Sequence, residues 1–234
     1  MLDIKKHQIS PQDIPGRLEH SLLTVGLTRE SLRSECRLAR NLLVATVCVA
    51  PFYVADAVDM LTGSSVGVCA AVGFPGAFMS TEAKITDVHT CAFKGASEID
   101  LAINITMIKS GDYTNAEIDF RSAVEAAKGR AVIKAVFEHG SYDISEKKKV
   151  LDIIKRSGVP YLKIQNMTSG HGARIEDILF VRESIGDRVK IKIDGGIKTL
   201  DQAIELCNAG ASRLGLTATK SIVEEANKSR RNIS

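Results

Sequence analysis

The chain has 234 residues, 44% of them hydrophobic and 25% charged, the balance of an ordinary globular protein large enough to need no disulfide or metal staple. A net charge of +3 with only 5% aromatics argues against a nucleic-acid binder, which shows a basic stripe and stacking rings. No run approaches the ~20 apolar residues of a membrane span. The five cysteines, Cys36, Cys48, Cys69, Cys91 and Cys207, form no C-x-x-C pair, so neither a disulfide framework nor a zinc site is indicated.

The first residues, MLDIKKHQISPQD, carry charges and a proline where a secretory signal needs an apolar core. A cytoplasmic location is therefore expected. A strand is expected around LEHSLL (18–23) and a helix near 29–41. LLVATVCVA (42–50) and SVGVCAAVGF (65–74) follow as β-branched runs. STEAKITDVHTCAFKG then reads as a helix, with Ser80 or Thr81 as N-cap and Gly95 as stop. EIDLAIN (98–104) is the next strand, and TNAEIDFRSAVEAAKG the next helix, ending in Gly129. AVIKAVFE (131–138), YLKIQN (161–166), VKIKID (189–194) and SRLGLT (212–217) complete the strands. DISEKKKVLDIIKRSG and TLDQAIELCNAG are helices between them. The run Lys147, Lys148, Lys149 reads as the wet face of its helix.

Strand–helix alternation implies a parallel sheet, and eight units fit a closed barrel. No G-x-G-x-x-G follows the first strand, as a doubly wound dinucleotide fold would require. With no Pro/Gly/Ser-rich linker, one (β/α)8 domain is expected over 1–234.

Alternate residues of a strand share a face. Glu98, Asp100 and Asn104 share one with Ala102. Lys134 and Glu138 share another with Val136, Lys163 goes with Gln165, and Lys190 and Lys192 align with Asp194. The opposite faces are apolar and must meet the helices, so the charges point inward, toward the catalytic mouth of a barrel. The five histidines form no ligand-spaced pair, so no metal and no cofactor is expected. A lysine in a dry pocket beside a second cation loses its proton more readily and becomes a nucleophile toward carbonyls. Lys163 and Lys192, on the sixth and seventh strands at similar height, suit that arrangement, each depressing the other. Asp100 is placed to exchange protons. Spacing leaves open which lysine forms the imine, and Lys134 is a third candidate, with Asp100 or Glu138 as its expected partner. Gly195 and Gly196 after the seventh strand, and Gly215 and Thr217 after the eighth, sit where barrels bind phosphate.

These residues resemble the deoxyribose-phosphate aldolase family over roughly 18–222. The shared stretches are VCVAPFYV (47–54), AVGFPGAFMSTEAK (71–84), GASEIDLAIN (95–104), IKAVFEHG (133–140), YLKI (161–164), KIDGGIKT (192–199) and GASRLG (210–215). The resemblance implies a (β/α)8 barrel and metal-free cleavage of 2-deoxy-D-ribose 5-phosphate to acetaldehyde and glyceraldehyde 3-phosphate. It assigns the imine to Lys163, the lowering of its pKa to Lys192 and acid/base work to Asp100. Phosphate contacts fall to Gly195, Gly196 and Thr217, and Cys48 matches a cysteine near the pocket. It also implies a small-molecule partner and pairing of two copies as a homodimer.

Departures stand beside these matches. Where the family reads K-T-S-T-G, this chain has Lys163, Ile164, Gln165, Asn166 and Met167, so Ile164, Gln165 and Met167 point to an altered pocket. His171 is a candidate replacement for a lost hydroxyl. Asp194 stands where the family has a small residue. It would repel phosphate unless turned away or paired with Lys190, Lys192 or His171. Two alternatives follow: the same lysine chemistry on another sugar phosphate or uncharged aldol, and a barrel that binds a phosphometabolite without turnover.

Overall fold

A computed structural model describes residues 9–166, 170 and 172–231. Eight parallel strands follow in chain order: β1 (Leu18–Ser21), β2 (Thr46–Val49), β3 (Gly67–Val72), β4 (Glu98–Ala102), β5 (Val132–Glu138), β6 (Tyr161–Gln165), β7 (Lys190–Asp194) and β8 (Ala211–Leu216). Each pairs with its neighbour, and β1 pairs with both β2 and β8, closing the barrel. Around it run α1 (Arg29–Leu42), α2 (Val54–Leu61), α3 (Thr81–Phe93), α4 (Ile105–Lys109), α5 (Tyr113–Ala126), α6 (Ile144–Ser157), α7 (Ile175–Ile185), α8 (Leu200–Asn208) and α9 (Thr219–Arg231). Among the described residues no helix is long and apolar enough to cross a membrane.

The caps explain where helices begin. Ser80, not Thr81, caps α3: its hydroxyl accepts from Ala83 N. Asp143 and Glu146 form a reciprocal capping box on α6, which stops at Gly158 in the left-handed region (φ 71°). Most of the expected strands prove shorter by one to five residues, and two of the differences have a clear local cause. The run 42–50 starts only at Thr46, because α1 continues through Leu42 and turns at Leu43 (φ 54°). EIDLAIN ends at Ala102, because the Asn104 side chain instead caps α4, accepting from Met107 N at 3.2 Å.

The outward faces of the strands, such as Val47, Ile99, Phe137, Leu162, Ile164, Ile191 and Leu214, form one core cluster with helix residues Leu32, Val88, Phe120, Ile153 and Val181. Each fully buried side chain of this kind stabilises by about 1.5–3 kcal/mol. Ile164 therefore does not alter the pocket as its departure from the family pattern suggested. Strand alternation sends it outward to the helices, while Lys163 and Gln165 on either side face in. A second buried tie joins α3 to α5. Lys84 is ion-paired with Asp119, bonds the Ala102 carbonyl at 3.2 Å, and is wholly buried. Thr81 Oγ1 donates to the other Asp119 oxygen at 2.9 Å.

Candidate active site

Inside the barrel the charges stack in layers. Lowest, Arg213 on β8 donates to Glu98 at 3.1 Å and Thr46 at 3.2 Å, and Lys134 reaches Glu98 at 2.7 Å. Above them, Asp100 accepts from Lys134 at 3.0 Å through one oxygen. Its other oxygen takes Lys163 at 2.9 Å and Lys192 at 2.6 Å. Glu19 on β1 pairs with Lys192 and, at 3.3 Å, with Lys134. Highest, Asp194 Oδ2 lies 2.7 Å from Lys163 Nζ. Lys134, Lys163, Lys192 and Arg213 thus face Glu19, Glu98, Asp100 and Asp194, four cations against four carboxylates. Such balance is what lets charge survive burial.

The register places these groups. Lys134 is paired with Asp100 across β4 and β5, and Lys192 with Lys163 across β6 and β7. The expected trio Asp100, Lys163 and Lys192 is therefore brought together. Lys134 has Asp100, as expected, plus Glu98 and Glu19; Glu138 instead accepts from Gln165 at 2.9 Å.

The expected ionisation is corrected. Burial, and to a smaller extent Lys192, pulls the Lys163 ammonium down, but Asp100 and Asp194 outweigh both and hold it above the ordinary lysine range. Lys192 and Lys134 are held up the same way, against burial, with Asp100 the foremost partner of each. Asp100, despite burial, is kept well below the usual carboxylate range by Lys134, Lys163 and Lys192. Glu19 is brought down to about 2 by Lys134 and Lys192. Two amines placed side by side do not leave one neutral when a carboxylate lies between them. Asp100 and Asp194 thus favour the ammonium form of Lys163.

A cavity of about 810 Å³ opens above this stack. Lys163 is at its floor with Asp194, Gln165 and Asn166, while Ser21, Leu23 and Phe74 line it from the first and third strands' ends. Lys163 Nζ lies 5.8 Å from the centre of the Phe74 ring. Gly195, Gly196, Gly215 and Thr217 also line it, with Lys198 beside them. Gly196 has φ 70°, and a Cβ there would come within 2.9 Å of Gly172 Cα. Glycine is required both by the backbone turn and by the approach of the loop after β6. The N-terminus of α9 follows Thr217 and Ala218, so backbone donors and the helix dipole favour an anion at this end.

Asn104 and Cys48 are not among the cavity's lining residues. Asn104 is engaged as a cap. Cys48 is buried with Cys69 and Ala71, and its thiol is pushed well up by the Cys69 contact and by burial, which leaves it little thiolate. Met167 and His171 lie outside the described residues. Asp194 is paired, as its position demanded, but with Lys163 first and Lys192 only at 3.6 Å. Lys190 is exposed at the start of β7, over the Tyr161 ring.

Sequence reasoning missed Glu19, Arg213 and Asp177. Glu19 is a lone carboxylate in a four-residue strand, and its inward phase was the available signal. Asp177 is buried, accepts from Asn166 at 2.7 Å and lies 3.3 Å from His139 Nδ1, anchoring Asn166 at the mouth. Donor atoms of Glu19, Cys48, Cys69 and Asp100 lie within 4.8 Å of one another. A cation there would have to displace ammonium groups that already neutralise both carboxylates.

No family model matches the chain. The chain is 36% identical over 213 residues to the deoxyribose-phosphate aldolase of Alkaliphilus oremlandii, covering 91% of this chain and 96% of that one. It is 35% identical over 212 residues to the deoxyribose-phosphate aldolase of Desulfitobacterium hafniense, covering 90% and 97%. The solved structure of an aldolase superposes with a TM-score of 0.88 at 26% identity, covering 95% of this chain and 99% of that one. Agreement of that order along nearly the whole of both sequences makes this chain a member of the deoxyribose-phosphate aldolase family.

Proposed function

We propose that the chain cleaves 2-deoxy-D-ribose 5-phosphate reversibly to acetaldehyde and D-glyceraldehyde 3-phosphate, through an imine on Lys163. One observation carries the assignment among the three lysines buried inside the barrel: Lys163 alone of them lines the cavity, whereas Lys134 and Lys192 lie beneath it. Its amine bonds C1 of the substrate and water leaves, giving an iminium. The C3 hydroxyl then loses its proton, C2–C3 breaks, and the electrons are taken up as an enamine. C2 next accepts a proton, and hydrolysis frees acetaldehyde and the lysine. Asp100 and Lys192 hold the amine in place from below and set the charge around it, with Lys192 opposing the carboxylates that keep Lys163 protonated. The glycines after β7 and β8, with the start of α9, take the phosphate. A cytoplasmic location and a small sugar-phosphate partner go with this reading.

Acetaldehyde with borohydride is expected to add a reduced two-carbon adduct to Lys163, located by peptide mass. Labelling of Lys192 or Lys134 instead overturns the assignment. Failure with every small aldehyde and ketone would leave a barrel that only binds. A second reading rests on the Asp194 carboxylate, which lies against Gly215 at the phosphate end. It keeps the lysine chemistry but takes an aldol without phosphate. Competitive inhibition by inorganic phosphate favours the first reading, and indifference to it the second.

A further inference from the structure

We propose that Asp194 is a catalytic residue, the carboxylate that exchanges protons with Lys163 and with the oxygen expelled as water during imine formation; this rests on the reading of Lys163 as the imine lysine. Lys163 Nζ has two carboxylate neighbours, Asp100 Oδ2 at 2.9 Å and Asp194 Oδ2 at 2.7 Å. They differ in what else they touch. Asp100 is 1% exposed and shared by three ammonium groups, so both of its oxygens are committed. The Asp194 side chain is 17% exposed and lines the cavity. Its Oδ1 accepts no hydrogen bond among the described residues, and Lys192 is 3.6 Å away. Asp194 therefore places a carboxylate beside the nucleophile that borders the cavity, with Oδ2 on the amine and Oδ1 buried toward Gly215. Glu138 and Asp177, the other buried carboxylates near the mouth, bond Gln165 and Asn166 rather than Lys163. Gly215 makes room for this arrangement: a Cβ there would sit 2.0 Å from Asp194 Oδ1.

The resting pair is an ammonium and a carboxylate. A proton passes from Nζ to Asp194 Oδ2, and the freed amine bonds the aldehyde carbon. The nitrogen's next proton moves to the carbonyl oxygen, giving the carbinolamine. Asp194 returns its proton to that hydroxyl, the C–O bond breaks, and water leaves. The iminium charge then faces the restored carboxylate. One ammonium and one carbonyl have become one iminium and one water, with Asp194 as it began.

The wild-type chain is first treated with acetaldehyde and borohydride; absence of label on Lys163 overturns the imine reading and this proposal with it. Given labelling, Asp194→Asn is expected to slow both trapping and retro-aldol turnover by about 100-fold, the size of one general acid–base contribution. Asp194→Ser should be as slow, and formate, small enough to enter the vacated space, should restore about 10-fold. Were Asp194 only a clamp on the ammonium, Asn would release the amine and trapping would run as fast or faster. That result, or a serine variant indifferent to formate, overturns the proposal.

Discussion

Replacing Asp100 with asparagine keeps the shape of the side chain and removes one negative charge from the centre of the barrel. Three ammonium groups lie at 3.0, 2.9 and 2.6 Å from its oxygens. At an effective dielectric of about 20, each such contact amounts to about 5 kcal/mol. Three together exceed the whole net stability of an ordinary domain, about 5–15 kcal/mol. The variant therefore cannot keep all three lysines charged, and one gives up its proton. That limits the loss: deprotonating an ordinary lysine at pH 7 costs about 5 kcal/mol, at about 1.4 kcal/mol per pH unit. At pH 9 the same step costs about 2 kcal/mol.

The sign is fixed by proton counting. The unfolded variant holds one proton more than the folded one, so its stability rises with pH up to the free lysine range. Paired thermal melts by circular dichroism should show Asp100→Asn lower than wild type by about 10–20 °C at pH 7. The gap should close to about 4–8 °C at pH 9, at 2–4 °C per kcal/mol for a chain of this size. On the acid side the wild type has a dependence of the same sign, in a lower window. Its Asp100 is held well below the usual carboxylate range, so that group's stabilisation is present above the free aspartate range and lost as pH falls through the lowered value. Between pH 7 and the free aspartate range the gap should therefore widen, because the variant alone loses stability there. A gap that stays constant from pH 7 to 9, or no gap at all, refutes the picture of a charge-balanced interior.

Two more outcomes follow from single contacts. Lys84→Met strands the buried Asp119 carboxylate with Thr81 as its remaining hydrogen-bond donor, and thermal melts should record a loss of about 3–5 kcal/mol. Exchanging Asp119 for leucine as well should recover part of it, because an apolar pair leaves no buried charge unpaired. Gly215→Ala drives a methyl group into the Asp194 carboxylate, and Gly215 needs no left-handed backbone, so the fold should persist. The carboxylate must swing off Lys163, and turnover should fall toward that of Asp194→Asn, about 100-fold; wild-type turnover would show that Asp194 does not need its observed position.

The pairing of four cations with four carboxylates also explains why a barrel can hold so many charges at its centre. Removing a cation and a carboxylate together leaves the balance intact, whereas removing either alone leaves a charge with nowhere to go. Lys163 is thus embedded in the part of the interior least tolerant of single substitutions. On the proposed mechanism its reactivity depends on how easily one proton can be passed upward, toward the cavity.

Local chemistry made much of this legible beforehand. The alternation of β-branched runs with capped helices specifies a parallel barrel, since each strand must cover its outer face with the helix that follows. Two-residue periodicity specifies that Asp100, Lys134, Lys163, Lys192 and Asp194 all face inward, because the residues between them are apolar. The ends of elements were less legible. Asn104 could extend a strand or cap α4, and only the hydrogen bond to Met107 settles it. Ile164 looked like a pocket residue because it departs from a family pattern, yet a one-residue step along a strand puts it on the other face. Ionisation was not legible at all. It depends on which oxygen stands within about 3 Å of which nitrogen, and those partners come from distant segments: Glu19 meets Lys192 across 173 positions, and Asp100 meets it across 92. Closing the barrel brings them together, and proximity at that scale, in a dry interior, decides which groups carry charge.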